Sequence, residues 1–582
     1  MLADKDLVSI QEVRSKVEKA YVASQKYRGY SQEQVDSIVE AMAAAARADS
    51  QRLAELAVEE TGYGNAKDKH AKNLLCADLL PRRMHGMKTI GIIRELPDEK
   101  LIEIATPVGV VAAILPTTNP TSTAIYKSLV SLKAGNAVVL SPHPNAKNCT
   151  CETASILYNA ALAAGAPEDI IQCINTPTLE ATNALMRHEK TGVILSTGGA
   201  GIVKAAYSSG KPAFGVGPGN VPVMVERTAD IAEAVRMIVD GKSFDFGTVC
   251  SSEQALVTEE SSRDRVIAEL KSRKAYFCSD AQKDMVGRIL LSPSGTVNPK
   301  CVGQSAPKIA KMAGFEVPAD TPILVVELNG VGKQHPLSAE KLSPVLSLYT
   351  VKDFAAGLDI CEALLRFGGL GHTCAIHSKD DARIREFGLR MPAFRVLVNT
   401  SAPQGSTGIT TNIFPSMTLG CGAIAGNITS DNIGPQHLIN IKRIAYLVRK
   451  PEDAFEAPTS ASARKPVNVD RGTVVAAVEK YLASRGVGTT TPPAASPART
   501  DIISGVVDRF LAAKKTQTAP SPTPAPPRPA ESAPVIVPFV CENDVREAIR
   551  ESRKIYIGPK TIITPSARDV GDQFGILVLA QR

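Results

Sequence analysis

The sequence predicts an α/β protein with two lobes, each built on a parallel β-sheet, followed by a largely flexible C-terminal extension. Short runs of β-branched residues alternate with Ala-rich helical stretches twice along the chain, and after about residue 450 the composition shifts to Pro, Ala, Thr and Ser. Apolar strands that alternate with helices are typical of βαβ units whose sheet is covered on both faces. We therefore expect a two-lobed body with an extension.

The composition excludes several classes of protein. With 582 residues, of which 44% are hydrophobic, the chain is long enough for roughly four units of about 150 residues and too apolar for disorder throughout. No stretch approaches the roughly 20 apolar residues of a membrane span. The first residues, Met1–Asp6, are charged where a signal peptide needs an apolar core. We expect a protein of the cytoplasm without a membrane partner.

The charges and cysteines exclude further classes of partner. The formal net charge of +7 comes from Lys and Arg interspersed with acidic residues, a pattern that is not typical of nucleic-acid binding. The 11 cysteines include no Cys-x-x-Cys motif and suit a reducing compartment better than a disulfide framework. We expect no nucleic-acid partner. We also expect no metal, because no His/Cys/Asp cluster has the spacing of metal ligands.

The first clear element is an amphipathic helix over residues 31–47. Ser31 and Gln34 form a capping-box pattern, in which each side chain satisfies a free backbone N–H group of the other residue. Val35 and Ile38 follow at helical spacing. The pattern predicts a helix with one buried face.

Short apolar runs between Gly/Pro turns predict the strands of both lobes. The first lobe is expected over residues 1–240 and the second over residues 241–420, with a substrate cleft between them. The predicted strands are 108–115, 137–140, 170–174, 192–196 and 221–226 in the first lobe, and 255–257, 323–326, 374–377 and 396–399 in the second.

The extension, residues 451–582, combines linkers with short amphipathic segments. The Ala/Thr/Pro/Ser-rich tracts 487–499 and 516–538 cannot bury enough apolar surface to repay their ordering entropy. Apolar stripes predict amphipathic helices over 472–484 and 501–515. Because isolated helices of this length are marginal in water, they are expected to bind a partner surface or to dock on the protein's own body.

A small terminal segment, residues 540–582, closes the chain. Its pattern predicts a helix over 543–553, two strand-like runs around Pro559 and a further apolar run at 576–580. The segment is too short for a large core.

Two residues suit the chemistry of a carbonyl compound. Cys250 precedes the first strand of the second lobe, where a thiolate can attack a carbonyl carbon, although a small buried cysteine is the commoner interpretation of its local sequence. Asn119 follows the predicted strand 108–115, and its amide can donate to a developing oxyanion there. The alternative is an Asn that shapes the turn before Pro120.

Two glycine-rich loops favour a dinucleotide site, each weakly. Ser196–Gly201 follows a predicted strand and precedes a predicted helix over 202–207, whose N–H groups can face a pyrophosphate. Gly215–Asn220 contains Pro218 and leads into a strand, which indicates a tight turn instead. Neither loop has the full Rossmann spacing.

Seven segments together resemble the aldehyde dehydrogenase superfamily, and in detail its CoA-acylating branch. The resemblance covers about residues 1–450. It includes the aldehyde dehydrogenases of bacterial microcompartments and the aldehyde half of bifunctional alcohol/aldehyde dehydrogenases. It implies an aldehyde dehydrogenase-like fold with an oligomerisation arm, to which residues 421–450 return. The segments begin at Val108 (VGVVAAILPTTNP), Gly135 (GNAVVLSPHP), Ser196 (STGG), Gly217 (GPGN), Cys250 (CSSEQ), Glu340 (EKLSPV) and Leu419 (LGCGA).

The resemblance implies roles for single residues. Cys250 would be the nucleophile, and Asn119 with the Cys250 backbone N–H would form the oxyanion hole. Glu340 would bind the nicotinamide ribose of NAD, and Gly198 and Gly199 would lie beside its pyrophosphate. The other cofactor-binding residues so implied are Thr117, Ser141 and His143.

One departure decides the expected reaction. Hydrolytic relatives carry a Glu that activates water where this chain has residues 215–222, which contain no carboxylate. A general base contributes about 10²- to 10⁴-fold, so CoA is expected to intercept the thioacyl enzyme. The product would then be acyl-CoA. The alternative is that another residue supplies the base, and His143, His372 and Glu253 are the candidates.

The resemblance also implies partners. The substrates would be a short aliphatic aldehyde, such as acetaldehyde or propionaldehyde, NAD and coenzyme A. The amphipathic segments would bind microcompartment shell or cargo proteins, which places the enzyme inside a microcompartment of the bacterial cytoplasm. A homodimer or homotetramer is expected. The alternatives are a hydrolytic enzyme that makes a carboxylate and a non-catalytic assembly protein.

Overall fold

The computed structural model describes residues 4–292, 295–455, 476, 537–551 and 553–579. These residues belong to two compact units, Met1–Glu456 and Ala457–Arg582. The α-helices of the first unit are Lys5–Tyr27 (α1), Gln32–Ala48 (α2), Ser50–Thr61 (α3), Ala66–Leu74 (α4), Leu80–Met84 (α5), Pro120–Lys133 (α6), Lys147–Ala163 (α7), Leu179–Arg187 (α8), Ala200–Tyr207 (α9), Ile231–Ser243 (α10), Glu260–Ser272 (α11), Asp280–Leu290 (α12), Ala306–Ala313 (α13), Phe354–Leu364 (α14), Asp381–Arg390 (α15), Ala402–Ser406 (α16) and Pro451–Phe455 (α17).

The β-strands of the first unit form three sheets. Two sheets are parallel, and the third is a small antiparallel sheet. The strands are Gly91–Leu96 (β1), Leu101–Pro107 (β2), Val110–Ile114 (β3), Ala137–Ser141 (β4), Ile171–Cys173 (β5), Thr191–Thr197 (β6), Ala213–Val216 (β7), Val221–Val225 (β8), Glu253–Glu259 (β9), Tyr276–Phe277 (β10), Leu324–Glu327 (β11), Val345–Val351 (β12), Gly371–His377 (β13), Ala393–Val398 (β14) and Ile439–Ala445 (β15).

The first parallel sheet has five strands in the order β5-β4-β3-β6-β7. Strands β3 and β4 are buried along their whole length, as expected for a parallel sheet with helices on its faces. The predicted amphipathic helix is confirmed as α2, with a complete capping box between Ser31 and Gln34. Its apolar face joins the core of this lobe.

The second parallel sheet has seven strands in the order β10-β11-β12-β9-β8-β13-β14. Strand β8 lies inside this sheet, between β9 and β13. The chain therefore changes sheets between residues 216 and 221, earlier than the predicted boundary at residue 240. A fully buried apolar strand suits either sheet, so its pairing depends on the fold around it and not on its own pattern.

The third sheet has the order β1-β2-β15 and is antiparallel. Its strand β15 comes from the end of the first unit, so residues 421–450 do return to pair with an early part of the chain. Strand β15 is largely exposed and presents Ile441 and Ile444 to solvent. This sheet corresponds in position along the chain to the predicted arm.

The cysteines depart from expectation at one place. Cys151 on α7 and Cys173 at the end of β5 are joined in a disulfide, and the other cysteines are free. The two residues are 22 positions apart, and only the packing of α7 against β5 brings them together.

The second unit is a small parallel βαβαβ fold over residues 537–579. Its elements are Val537–Val540 (β16), Glu542–Arg550 (α18), Ile555–Ile563 (β17), Pro565–Gln573 (α19) and Leu577–Leu579 (β18), and the sheet order is β16-β17-β18.

This unit differs from its prediction in two ways. Two strand-like runs were predicted around Pro559, but a single strand, β17, runs through this residue. Residues 558–561 do not pair with β16 or β18, so the N–H that Pro559 lacks is not needed for strand pairing. The helix α19 was not predicted. The core is small and includes Val540, Val545 and Ile555.

The predicted amphipathic helices 472–484 and 501–515 lie outside the described residues, apart from Ala476. Among the residues that are described, no helix has the length and apolarity needed to cross a bilayer.

Candidate active site

Five of the six predicted cofactor residues, together with the predicted oxyanion donor Asn119, lie at one edge of the first sheet. Strand β3 lies between β4 and β6, so the strand order reverses at β3. Open parallel sheets bind ligands outside the carboxyl ends of their strands at such a point. The residues that follow these strands are Thr117 and Asn119 after β3, Ser141 and His143 at and after β4, and Gly198 and Gly199 after β6.

The β4 residues are already engaged with the protein. The hydroxyl of Ser141 is buried and lies 3.1 Å from the hydroxyl of Thr182 on α8. His143 is exposed, and its Nδ1 accepts a hydrogen bond from the backbone N–H of Asn145. Desolvation lowers the pKa of His143, which keeps its imidazole neutral near pH 7.

The two glycines after β6 play different parts. A β-carbon on Gly198 would lie 2.7 Å from Cγ2 of Ile202, so packing on α9 requires a glycine there. Gly199 is the N-cap of α9 and faces open space. The predicted helix after this glycine-rich loop is therefore present as α9, which begins at Ala200.

A cleft of about 1720 Å³ lies beside this edge. Gly199, Ala200, Pro218 and Glu340 line it together with residues of the second lobe. A cleft therefore lies between the two lobes, where the substrate cleft was predicted. The basic residues along its wall are Arg263, Lys283, Arg288 and Lys333.

Cys250 lies in the loop between a 3₁₀ turn, Phe244–Gly247, and β9. Its side chain is half-buried and packs beside Val216, Leu419 and Cys421. Burial, followed by the nearby Glu340 and Cys421, raises the pKa of the Cys250 thiol to about 12. The thiol is therefore protonated in the unliganded protein at neutral pH.

A buried guanidinium opposes this effect. Arg395 lowers the pKa of Cys250, though by less than burial raises it. The Arg395 side chain donates to the carbonyl oxygens of Gly420 (2.7 Å) and Gly371 (3.2 Å), which holds it in place behind the nucleophile. Sequence patterns did not point to Arg395, because an isolated Arg in a strand carries no motif.

Gly219 forms the wall opposite Cys250. A β-carbon on Gly219 would lie 2.2 Å from the Cys250 carbonyl oxygen and 3.2 Å from the ring of His372. The backbone N–H of Gly219 donates to Oε1 of Glu340 at 3.2 Å. Glu340 thus lies near Cys250 as well as in the cleft, and burial raises the pKa of Glu340 to about 8.

The three alternative bases occupy different places. His143 belongs to the end of β4. Glu253 is buried and accepts from the backbone N–H of Ala402 at 2.6 Å. His372 is the candidate that touches the wall beside Cys250; its Nε2 has no hydrogen-bond partner among the described residues, and burial lowers its pKa to about 3.

Asn119 is nearly buried at the start of α6, where it is the N-cap residue. Its Oδ1 accepts a hydrogen bond from the ammonium of Lys72, and its Nδ2 lies 3.1 Å from Oγ1 of Thr118. Lys72 was not predicted as a site residue, since lysines on a helix ordinarily indicate a solvated face.

Within the described part of the chain, no cluster of three or more His, Cys, Asp and Glu side chains could hold a metal ion.

The chain matches the aldehyde dehydrogenase family over residues 2–284. It is 51% identical to the structure of an acetylating aldehyde dehydrogenase from Geobacillus thermoglucosidasius, with a TM-score of 0.76, covering 77% of this chain and 99% of that one. The chain belongs to the aldehyde dehydrogenase family. The fold class and the family resemblance predicted from the motifs are thereby confirmed.

Other members of the aldehyde dehydrogenase family are similar over the same part of the chain. The bifunctional aldehyde-alcohol dehydrogenase AdhE of Escherichia coli (strain K12) is 44% identical over 444 residues, which is 75% of this chain and 50% of that one. The chain spans about half the length of such curated relatives.

Two solved structures extend the comparison. A propionaldehyde dehydrogenase from the Clostridium phytofermentans fucose utilisation bacterial microcompartment is 28% identical, with a TM-score of 0.68, over 75% of this chain and 97% of that one. The Rhodopseudomonas palustris propionaldehyde dehydrogenase with bound propionyl-CoA is 29% identical, with a TM-score of 0.67, over 75% of this chain and 94% of that one.

Proposed function

We propose that this aldehyde dehydrogenase oxidises a short aliphatic aldehyde to an acyl-CoA through a thioester on Cys250. The observation that carries the proposal is the packing of Gly219 against Cys250. Residues 215–222, where hydrolytic relatives place a water-activating Glu, offer the nucleophile backbone and no carboxylate side chain. A missing general base slows attack by water about 10²- to 10⁴-fold, which favours a thiol as acyl acceptor.

The protein's own groups account for thioester formation. Once deprotonated, Sγ of Cys250 bonds to the aldehyde carbonyl carbon, and the oxygen takes up the negative charge. The Nδ2–H of Asn119 and the backbone N–H of Cys250 are the donors for that oxygen. Loss of the carbon-bound hydrogen with its electron pair, for which bound NAD would be the acceptor, restores the C=O bond and leaves the acyl group on sulfur.

The second half of the reaction exchanges one thioester for another. The CoA thiolate bonds to the acyl carbon, and Sγ of Cys250 leaves as a thiolate. A hydrolytic enzyme would need a base at the same point, and His372 is the residue best placed to supply one. The identity of the product therefore distinguishes the two reactions.

The edge of the first sheet fits a dinucleotide. NAD, when bound, supplies the acceptor of the electron pair. Gly198 and Gly199 at the start of α9 suit its pyrophosphate, and Glu340 lines the same cleft as Gly199. The other residues proposed to hold it are Thr117, Ser141 and His143. A cleft of about 1720 Å³ leaves room for such a ligand.

The wall beside Cys250 suits a small acyl group. Val216, Leu419 and Cys421 form an apolar cluster against which Cys250 packs. Apolar contact of this kind favours acetaldehyde or propionaldehyde over charged aldehydes. The Rhodopseudomonas palustris relative, solved with bound propionyl-CoA, supports a substrate of this size.

We further propose that the enzyme resides inside a bacterial microcompartment. The apolar stripes in the sequences of 472–484 and 501–515 are suited to bind shell or cargo proteins. The relative from the fucose utilisation microcompartment supports this assignment. The exposed Ile441 and Ile444 of the three-stranded sheet support a homodimer or homotetramer.

The test is NADH formation from a panel of short aldehydes with and without CoA, with the acyl-CoA identified by mass spectrometry. Cys250→Ala is expected to abolish NADH formation, while the matched variant Cys278→Ala, at another half-buried cysteine, should retain it. Carboxylate formed in place of acyl-CoA would establish hydrolysis. NADH formation that survives Cys250→Ala would favour a scaffold whose working part is the extension.

A further inference from the structure

A buried cluster of two lysines and one carboxylate joins α4 to the loop of Cys250. Lys69 and Lys72 lie on the same helix, and each is 2% exposed. Asp245, five residues before Cys250, is fully buried. Buried lysines are rare and are retained only with good partners, so this cluster calls for an explanation.

Asp245 is saturated with donors. Its Oδ2 accepts from Nζ of Lys69 at 3.1 Å, from Nζ of Lys72, and from Oγ1 of Thr248 at 2.6 Å. Its Oδ1 accepts from the backbone N–H of Asn65 at 2.9 Å. Burial opposes ionisation of Asp245, but Lys72 and Lys69 outweigh it and hold the pKa of this carboxyl below its ordinary value.

The cluster also shapes the backbone before the nucleophile. Asp245 and Phe246 adopt left-handed conformations, with φ of 47° and 50°. Such conformations persist for non-glycine residues only when their surroundings hold them. The Asp245 N–H donates to Oδ2 of Asp68 at 2.7 Å. A β-carbon on Gly64 would lie 1.8 Å from Oδ1 of Asp245, so a glycine is required for the close approach.

The two lysines differ in what else they hold. Lys69 donates to the backbone carbonyl of Thr118 at 2.9 Å. Lys72 donates to the side-chain oxygen Oδ1 of Asn119. Because an ammonium repels the N–H₂ end of a carboxamide, this contact permits one orientation of Asn119, with Nδ2 directed away from Lys72.

We propose that Lys72 is a positioning residue: it fixes the orientation of the Asn119 carboxamide and ties it to the loop that carries Cys250. This inference rests on the proposed function, in which Asn119 Nδ2–H donates to the oxyanion. Asn119 comes from the first sheet and Cys250 from the second, and Lys72 contacts both Asn119 and Asp245. One ammonium therefore sets the relation between a donor and the nucleophile on different lobes.

The positive charge of Lys72 also favours hydrogen-bond donation by the Asn119 amide to an oxyanion. Asp245 and Asp68 balance the charges of Lys69 and Lys72 in the cluster as a whole. The Lys72 ammonium nevertheless contacts Oδ1 of Asn119 directly, which polarises the carboxamide and its N–H₂ toward a developing anion. Burial lowers the pKa of Lys72 to about 8, although Asp245 opposes the change. The ammonium is therefore the main form at pH 7.

A double-mutant cycle tests the inference. NADH formation is measured with CoA and saturating aldehyde for the wild type, Lys72→Met, Asn119→Ala and the double variant, with thermal unfolding of each. Lys72→Met should lower kcat about 10- to 100-fold, with the KM for NAD within about twofold of wild type. In the Asn119→Ala background, the same change should lower kcat by less than about threefold, because the residue through which Lys72 acts is gone.

Two further variants separate positioning from support of the fold. Lys133→Met removes another buried lysine, whose partner Asp36 lies far along the chain from the site; it should leave kcat unchanged while lowering the unfolding temperature. Lys72→Gln keeps a donor and should recover part of the kcat lost in Lys72→Met. It also replaces Lys72→Met in the cycle if that variant does not fold.

The outcomes are distinct. Equal loss of kcat from Lys72→Met in both backgrounds, or no loss in the wild-type background, would overturn the positioning role alone. Full activity of Asn119→Ala would instead overturn the oxyanion role in the proposed function, and the inference with it. A loss confined to the background that contains Asn119 supports both.

Discussion

Gly219 lies so close to Cys250 that a β-carbon on Gly219 would be 2.2 Å from the Cys250 carbonyl oxygen. A backbone carbonyl cannot move aside as the end of a flexible side chain can, so any side chain at residue 219 must displace the loop of the nucleophile. The same glycine donates its N–H to Glu340 and adjoins His372. The nucleophile, the proposed ribose-binding carboxylate and a buried imidazole are thus held by one residue without a side chain.

Gly219→Ala is therefore expected to lower kcat for NADH formation about 100-fold, since displacing a reacting group by about 1 Å has an effect of that size. Expressed as free energies, the loss of stability measured by thermal unfolding should be smaller than the loss of kcat. Gly388→Ala is the matched control, because residue 388 lies in α15 with no atom within 4 Å of its added methyl group. Equal activity of the two variants would contradict the prediction.

The reactivity of Cys250 in the unliganded enzyme should rise steeply with pH. Burial, with Glu340 and Cys421, raises the pKa of this thiol to about 12. Below that pKa the thiolate fraction grows tenfold per pH unit, so the rate of alkylation by iodoacetamide should do the same from about pH 7 to about pH 10. Mass spectrometry of the peptide that contains Cys250 gives this rate. A plateau below about pH 9 would show that the thiol is activated before any ligand binds.

Glu340→Gln should test the proposed binding of the nicotinamide ribose by this carboxyl group. If Glu340 binds the nicotinamide ribose, the KM for NAD should rise about tenfold, as for loss of a hydrogen bond. The ratio of acyl-CoA to carboxylate should stay unchanged. Glu362→Gln, which removes a carboxylate paired with Arg366 and Arg390, is the control. An unchanged KM for NAD in Glu340→Gln would contradict this role.

Removal of residues 457–582 should leave turnover nearly intact, because the first compact unit ends at Glu456 and contains every proposed site residue. Steady-state kinetics of the shortened and full-length chains should agree within about twofold. The shortened enzyme should no longer be recovered with microcompartment shells. Its continued co-purification with shells would show that the body, and not the extension, carries the binding surface.

Periodicity was sufficient for nine of the fifteen strands of the body, although only two of its helices were predicted individually. Strands β3 and β4 were predicted because runs of small and β-branched residues between Gly/Pro turns have few other stable conformations. Helix α2 was predicted from its capping box and its apolar spacing. Strand β12 was missed although it is almost wholly buried, because Ser347 and Thr350 break its apolar pattern. The antiparallel strands β1, β2 and β15 were missed for a similar reason, since exposed strands carry little apolar signal.

In the candidate site, residues that belong to motifs were predicted from the sequence, and residues outside motifs were not. Cys250 and Asn119 were found through motifs, and the absence of a carboxylate from residues 215–222 could be read directly. Lys72 and Asp245 carried no such signal. A lysine on a helix has the same local pattern whether it faces water or a buried aspartate 173 residues away.

By itself, the sequence determined the class of the fold, the order of nine of the body's strands and the family, and it predicted Cys250 as the nucleophile. Each of these depends on local periodicity or on a run of neighbouring residues. Only the tertiary structure decided that β8 joins the second sheet, that Glu340 reaches Gly219 and that Lys72 holds Asn119. Those relations depend on which distant side chains are desolvated together, and burial is a property of the packed chain and not of any one segment.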